Sequence, residues 1–126
     1  VAGEVILSAN GMSFKAGDEV KIRVSGRGMK AVNALSFALP YDQQSYDFVG
    51  IETVAVKGME NLTNDRLHTD GEKVLYPTFV NVGDKPAVEG DVELFVIRLK
   101  AKGDVQFDLK ARNGVLVDKS LNRVTF

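Results

Sequence analysis

The chain has 126 residues, of which 44% are hydrophobic and 26% are charged, and its 16 basic and 17 acidic side chains nearly cancel. These values are ordinary for one globular domain and exclude a disordered chain, a coiled coil and a strongly basic nucleic-acid-binding surface. The absence of cysteine excludes disulfides, zinc–thiolate sites and a cysteine nucleophile. No apolar run reaches the roughly 18 residues of a membrane helix. Because the chain begins with Val1, we expect a piece of a longer, multidomain protein, with residues 1–126 forming one domain.

Short segments rich in valine, isoleucine, phenylalanine and threonine recur between glycines, a pattern typical of β-sandwiches. Within them hydrophobic and polar residues alternate, as where Val20, Ile22 and Val24 flank Lys21 and Arg23. Such alternation is typical of a half-buried antiparallel strand. In chain order the predicted strands cover 3–9, 20–24, 32–41, 46–57, 65–69, 73–82, 91–102, 105–111, 115–118 and 122–126. These ten segments correspond to a sandwich of about nine strands, and we expect almost no helix.

The inward-facing residues of these strands are expected to form the core. Its expected members are large aliphatic and aromatic residues at alternating positions: Val20, Ile22, Val24, Leu35, Phe37, Leu39, Phe79, Phe95, Ile97, Leu99, Phe107 and Leu109. Gly26-Arg27-Gly28 lies between two predicted strands, and no helix follows it to direct amides at a phosphate. We therefore interpret these three residues as a turn.

Two predicted strands are apolar on both faces, which a simple two-layer sandwich does not require. In 92–99, Leu94 and Val96 alternate with Phe95 and Ile97, and segment 73–82 shows a similar pattern. Either a loop or neighbouring domain covers the second face, or that face binds a partner. Pro77, in the middle of 73–82, predicts an edge strand, a bulge or a break.

Few residues are suited to catalysis or metal binding. His68 is the only histidine, and no GxSxG nucleophile motif is present, so we expect no catalytic residues and interpret His68 as a loop or edge-strand residue. Segment 60–72 is rich in Asp, Asn and Glu but lacks the spacing of a calcium-binding EF-hand loop. We expect a polar loop there, no cofactor and no metal, with a bound calcium ion as the open alternative.

Several segments, in the same order, resemble the cohesin family. Residues 16–24 (AGDEVKIRV) resemble its second strand, and residues 34–42 (ALSFALPYD) resemble its apolar strand that ends in Tyr-Asp. Residues 46–51 (YDFVGI) resemble the segment that follows. Residues 94–102 (LFVIRLKAK) and 120–126 (SLNRVTF) resemble a later strand and the closing strand. The resemblance covers nearly the whole chain.

The resemblance implies a nine-stranded antiparallel jelly-roll β-sandwich without catalytic activity. Cohesins dock dockerin modules and so assemble extracellular carbohydrate-degrading enzymes, and similar modules occur inside large secreted glycoside hydrolases. The resemblance therefore implies an extracellular or cell-surface bacterial accessory module that contacts a dockerin-like module or a neighbouring domain of the same polypeptide. Because the fold is similar to that of some carbohydrate-binding modules, carbohydrate binding is the alternative function.

Alignment on Tyr41-Asp42 predicts that Leu35, Phe37 and Leu39 point inward. Alternation then directs Ala34, Ser36 and Ala38 outward, and we expect Tyr76 and Thr78 on a neighbouring strand. In type I cohesins the positions that match Ala34 and Ser36 carry polar side chains that hydrogen-bond the dockerin. The small side chains of this chain predict instead a flat face that another protein surface approaches closely. Carbohydrate binding would instead need exposed aromatic rings, and this chain has no Trp and only three Tyr.

Overall fold

The computed structural model describes residues 3–126, and every regular element within them is a β-strand. All strand pairs in this part of the chain are antiparallel. The strands are β1 (Glu4–Ala9), β2 (Ser13–Phe14), β3 (Glu19–Tyr41), β4 (Tyr46–Thr53), β5 (Glu60–Asn61), β6 (Asn64–Leu67), β7 (Lys73–Tyr76), β8 (Thr78–Val80), β9 (Val88–Ala101), β10 (Val105–Gln106), β11 (Arg112–Asp118) and β12 (Arg123–Thr125). The prediction of an all-β chain is confirmed.

The strands form two packed layers. The first contains β1, the first half of β3, β9 and β4, and its register places Leu7 beside Val24, Val24 beside Phe95 and Phe48 beside Leu99. The second contains β12, β11, the second half of β3, then β7 with β8, and finally β6 with β5. Strands β7 and β8 follow one register along β3, so they act as one strand line interrupted at Pro77. Strands β2 and β10 form a separate two-stranded sheet.

Strand β3 belongs to both layers, which corrects the prediction of a turn at Gly26-Arg27-Gly28. The backbone stays in the strand through these residues, while its register with β9 shifts between Gly26 and Met29 and again before Val32. Gly28 has a φ of 61°, a value that glycine adopts without steric cost. The bulges increase the local twist and carry the chain from the first layer to the second. The sequence pattern Gly-Arg-Gly therefore marks a bend within one strand.

A bulge also explains why segment 92–99 looked apolar on both faces. Val24 pairs with Phe95 and Ser25 pairs with Glu93, so Leu94 is an extra residue in β9. Extra residues of this kind disturb strict alternation. Leu94 and Phe95 are both fully buried in the core, and neither a covering domain nor a binding face is needed to account for Leu94.

The core lies between the two layers and contains most of the predicted residues. Ten of the twelve are almost inaccessible to solvent: Val20, Ile22, Val24, Leu35, Phe37, Leu39, Phe79, Phe95, Ile97 and Leu99. Phe107 and Leu109 are only partly buried against the core, so their assignment as core residues was wrong. The strand predicted over 105–111 pairs only at Val105 and Gln106, because its partner β2 is two residues long.

The remaining boundaries differ modestly from the predicted ones. The predicted strand 46–57 ends at Thr53, where the chain enters a turn, and β11 begins three residues before the predicted 115. Pro77 interrupts the predicted strand 73–82 between β7 and β8, as its lack of an N–H group suggested. Among residues 3–126 the structure contains no helix long and apolar enough to cross a bilayer.

Candidate functional site

The outer side of the second layer is a face of small and uncharged side chains. The register places Ala34 between Val80 and Val117, and it places Ser36 between Thr78 and Val115. Continuing the same register, Tyr76 lies opposite Ala38. We name this surface the small-residue face. Its members are Ala34, Ser36, Ala38, Tyr76, Thr78, Val80, Val115 and Val117.

All five residues predicted for a binding face therefore lie on one side of two adjacent strand lines. Ala34, Ser36, Tyr76 and Thr78 are half-buried, as expected for outward positions in the middle of a sheet. Ala38 is only 4% exposed, so the expectation of an accessible alanine there was wrong. Its neighbours across the strands are Tyr76 and Arg112, whose side chains are far larger than a methyl group.

Hydrogen bonds satisfy the few polar groups near the centre of the small-residue face. The hydroxyls of Ser36 and Thr78 lie 3.1 Å apart, and the Thr78 hydroxyl also donates to the Tyr76 carbonyl. The polar atoms are thus engaged within the sheet. The surface that remains consists mainly of methyl groups and backbone.

Charged and polar side chains border the small-residue face. His68 follows the end of β6, and its Nε2 lies 2.7 Å from the hydroxyl of Tyr76. Arg112 of β11 forms an ion pair with Glu72. The exposed residues Glu60 and Arg123 pair with Val80 and Val117 at the two sides of the face. Of the two positions predicted for His68, a loop or an edge strand, the structure shows the loop, since β6 ends at Leu67, and the ring is half-buried against Tyr76.

The outer side of the first layer has the opposite chemistry. Glu19 accepts a hydrogen bond from Arg98 at 2.9 Å and lies 3.9 Å from Lys21, while Arg23 pairs with Glu93. The hydrogen bond from Arg98 holds the pKa of the Glu19 carboxyl below its ordinary value. We name this surface the charged face. Its members are Glu19, Lys21, Arg23, Asp47, Glu52, Glu93, Val96, Arg98 and Lys100.

The tyrosines do not form an exposed aromatic platform. Tyr41 and Tyr46 are 7% and 3% exposed, and the ring of Tyr76 packs edge-on against His68. Burial, followed by the hydrogen bond to Asp65, raises the pKa of the Tyr41 hydroxyl well above its usual range. Burial likewise raises the pKa of Tyr46, with a contribution from the charge of Asp108. The rings of Tyr41 and Tyr46 are thus closed to a sugar, and Tyr76 alone of the three tyrosines is half-exposed.

The predicted polar segment 60–72 contributes β5 and β6 to an edge of the second layer, and its remaining residues form loops and turns. Asp65 bonds Tyr41 and Lys73, and a carboxylate oxygen of Asp70 accepts a hydrogen bond from the Glu72 amide. Within residues 3–126 no group of three or more His, Asp or Glu side chains is arranged to hold a metal ion. His68 has Tyr76 as its side-chain hydrogen-bonding partner and is not placed between a nucleophile and an orienting acid.

Comparison with solved structures identifies the architecture. A cohesin module from a Clostridium perfringens family 33 glycoside hydrolase has a TM-score of 0.75 at 13% identity and covers 99% of this chain and 90% of its own. The fold is that of a cohesin module. A type II cohesin of Acetivibrio cellulolyticus, solved with an X-dockerin, also has a TM-score of 0.75 at 13% identity, covering 98% of this chain and 92% of its own.

The likeness extends beyond cellulosomal proteins. A non-cellulosomal cohesin from the archaeon Archaeoglobus fulgidus has a TM-score of 0.65 at 13% identity, covering 96% of this chain and 83% of its own. No family model and no curated protein matches the chain in sequence. Cohesins are jelly-roll β-sandwiches, so the predicted jelly-roll architecture is confirmed together with the cohesin-like fold.

Sequence reasoning missed three residues of the small-residue face. Val80 follows Tyr76 and Thr78 at the same spacing of two, so the alternation in 73–82 was sufficient to include it. Val115 and Val117 join the face because β11 pairs with β3 about 80 residues earlier in the chain. No local signal reveals that pairing.

Proposed function

We propose that this cohesin-like module is a non-catalytic protein-docking domain that binds its partner through the small-residue face. One observation carries the proposal: the centre of this face has no charged side chain among the described residues, whereas the opposite face is covered with ion pairs. A contiguous uncharged surface with a polar border is typical of a protein interface. Small side chains also let a partner's backbone approach the sheet closely.

The partner that this chemistry favours is a dockerin-like module or a neighbouring domain of the same polypeptide. Cohesins of similar fold have been solved in complex with dockerins, which supports a protein partner. Methyl groups dominate the face of this module, so its contacts are mainly apolar and include few salt bridges. As part of the same proposal, the chain is one such domain of a multidomain protein.

The role of the parent protein belongs to the same proposal. The cohesin module of a glycoside hydrolase has the fold of this chain, which supports an accessory module of an extracellular or cell-surface glycan-degrading enzyme. In that setting the module would join the enzyme to a partner rather than act on the glycan. No observation on the described residues favours direct carbohydrate binding over this role.

The test is calorimetric titration of the module with dockerin modules of type I and type II and with the domains that flank it in its gene product. Ala34→Arg places a charge in the centre of the small-residue face, and Val96→Arg places the same charge on the charged face as a matched control. Ala34→Arg should weaken docking by about 3–5 kcal/mol, because the charge would be buried unpaired. Val96→Arg should leave the affinity within about twofold.

Both variants should melt close to the parent, since both positions are partly exposed in the isolated module. Equal loss of affinity in the two variants would assign docking to another surface. Unfolding of Ala34→Arg alone would mean that position 34 is structural, and Ser36→Lys would then replace it in the titration.

A further inference from the structure

The edges of the two layers differ in how well they are closed to a further strand. The first layer ends at β1 and β4, and the second ends at β12 and at β6 with β5. A free strand edge presents unpaired N–H and C=O groups, and proteins commonly block it with charges, bulges or very short strands. Strand β4 has a bulge at Val49, β12 has three residues and begins with Arg123, and β6 has four residues that include Asp65. These three edges are therefore blocked.

Strand β1 lacks all of these devices. It is six residues long, its register with β3 runs from Glu4 to Ala9 without a bulge, and Glu4 is its one charged residue. Residues 5–9 contain no proline and no charge, and Ile6 is 36% exposed. Among residues 3–126, β3 is the one strand that pairs with β1. The other side of β1 is thus open to a further strand.

The open side of β1 offers the backbone groups of three residues. The Asn10 amide donates to the Lys21 carbonyl at 3.0 Å, so these two residues form a hydrogen-bonded pair of the antiparallel ladder. Such pairs alternate with pairs that are not hydrogen-bonded, so Val5, Leu7 and Ala9 direct their N–H and C=O groups away from β3. Within the described residues these groups have no backbone partner. An added strand would supply one to each.

The side chains beside this edge are apolar. Val5 and Leu7 are only partly buried against the core, whereas the inward residues in the first half of β3 are fully buried. A groove extends from Leu7 to Met12 and Phe107, and Met12 is 71% exposed. The edge therefore suits an extended strand with hydrophobic residues at alternate positions.

We propose that β1 pairs antiparallel with β1 of a second copy of this chain. The strand has the chemistry that its own edge requires, since hydrophobic residues alternate along it and its middle carries no charge. Pairing centred on Leu7 brings Leu7 beside Leu7 of the second copy and Val5 beside its Ala9, so residues with free backbone groups meet each other. Glu4 then lies beside Asn10, and no like charges are opposed. The first layers of the two copies form one continuous sheet.

This self-pairing is independent of the proposed docking function. Strand β1 belongs to the first layer, whereas the small-residue face is the outer side of the second. Each copy therefore keeps its small-residue face accessible, and the dimer would hold two docked partners. Because the contact is a single short strand, we expect a dissociation constant on the order of 0.1–1 mM.

Sedimentation equilibrium at increasing concentrations measures the dimer, and amide hydrogen exchange locates the contact. The amides of Val5, Leu7 and Ala9 should become protected as the dimer forms. Ile6→Lys adds a charge of the kind that blocks strand edges and should raise the dissociation constant at least about tenfold. Val49→Lys is the matched control, because Val49 is an exposed aliphatic residue of the edge strand β4. It should leave the constant within about twofold.

A second variant tests the backbone contact directly. Ala9→Pro removes an N–H group that β3 does not use, so the isolated module should keep its fold while the dimer weakens. Circular dichroism checks the fold of this variant, and if it unfolds, Ile6→Lys decides the question. Ile6→Lys should also leave docking on the small-residue face unchanged, so either proposal can fail without the other.

Three results would overturn the inference. The first is a module that remains monomeric throughout the millimolar range. The second is equal weakening of the dimer by Ile6→Lys and Val49→Lys, which would assign the association to nonspecific hydrophobic contact. The third is protection of the amides of Val5, Leu7 and Ala9 in a longer, monomeric form of the polypeptide, because another segment of the same chain would then occupy the edge.

Discussion

The two outer faces of this sandwich are built on the same strand and differ in almost every side chain. The first half of β3 contributes Lys21 and Arg23 to the charged face, and the second half contributes Ala34 and Ser36 to the small-residue face. Both halves alternate inward and outward residues, and both supply the core with large hydrophobic side chains. The difference is confined to the outward positions.

Stability of the isolated module does not demand this difference. Substitutions at outward, partly exposed positions usually change the free energy of unfolding by less than about 0.5 kcal/mol. A solubilising surface would carry mixed charges on both faces, as the first layer does. The proposed docking function would account for the uncharged second face.

The largest predicted effect is on the free energy of unfolding, and it distinguishes core residues from residues of the two outer faces. Phe37, adjacent to Ser36 in β3, stacks on Phe95 with ring centroids 6.2 Å apart and meets Phe126 edge-on at 6.1 Å. Phe37→Ala should lower the free energy of unfolding by about 3–5 kcal/mol, measured by urea denaturation. Phe107→Ala, at a partly buried ring, should cost clearly less. A cost below about 1 kcal/mol for Phe37→Ala would mean that the assigned sides of β3 are reversed.

A smaller effect tests the centre of the small-residue face. Ser36→Ala removes the hydroxyl that lies 3.1 Å from Thr78, while Thr78 retains its bond to the Tyr76 carbonyl. We expect a loss of about 1 kcal/mol or less in the same denaturation assay, because the remaining partner stays satisfied. Ser25→Ala, in the first half of β3, is the control. A loss above about 2 kcal/mol would show that the Ser36 hydroxyl is structural and that the face is part of the core.

The smallest effect tests the ion pairs of the charged face. The pKa of Glu19 is lowered in the folded state, first by its hydrogen bond to Arg98, so its contribution to stability is present above its unfolded pKa of about 4.5. That contribution is lost as the pH falls through the lower, folded value. The melting temperature of Glu19→Gln should therefore fall less between pH 6 and pH 3 than that of the parent. Glu52→Gln serves as control, and identical pH profiles for parent and Glu19→Gln would contradict the assigned pairing.

Local patterns in the sequence were sufficient for much of the fold and for part of the site. Alternation predicted the strands and ten core residues, and it put Ala34, Ser36 and Ala38 on one side of β3. The bulge at Leu94 was not predictable, because an extra residue leaves no mark in an apolar run. The bend at Gly26–Gly28 has the same residues as a turn, and only its pairing with β9 shows that the strand continues.

Long-range pairing accounts for the remaining part of the site. The sequence alone does not show that Val115 and Val117 lie beside Ser36 and Ala34, since about 80 residues separate the strands. A polar cleft at one end of the sandwich was missed for the same reason, because its lining comes from segments near 42, 72 and 106 that come together only in the folded chain. Taken alone, each of these segments has the composition of ordinary polar surface.

The most direct test of docking through the small-residue face is a cross-saturation measurement on the docked complex. The module is deuterated and ¹⁵N-labelled, the bound dockerin module or flanking domain is left protonated, and the intensity lost by each amide of the module reports its distance from the partner. We predict the largest losses at 34–38, 76–80 and 115–117, with little change at 19–23 and 96–100. Losses concentrated on the charged face instead would contradict the account.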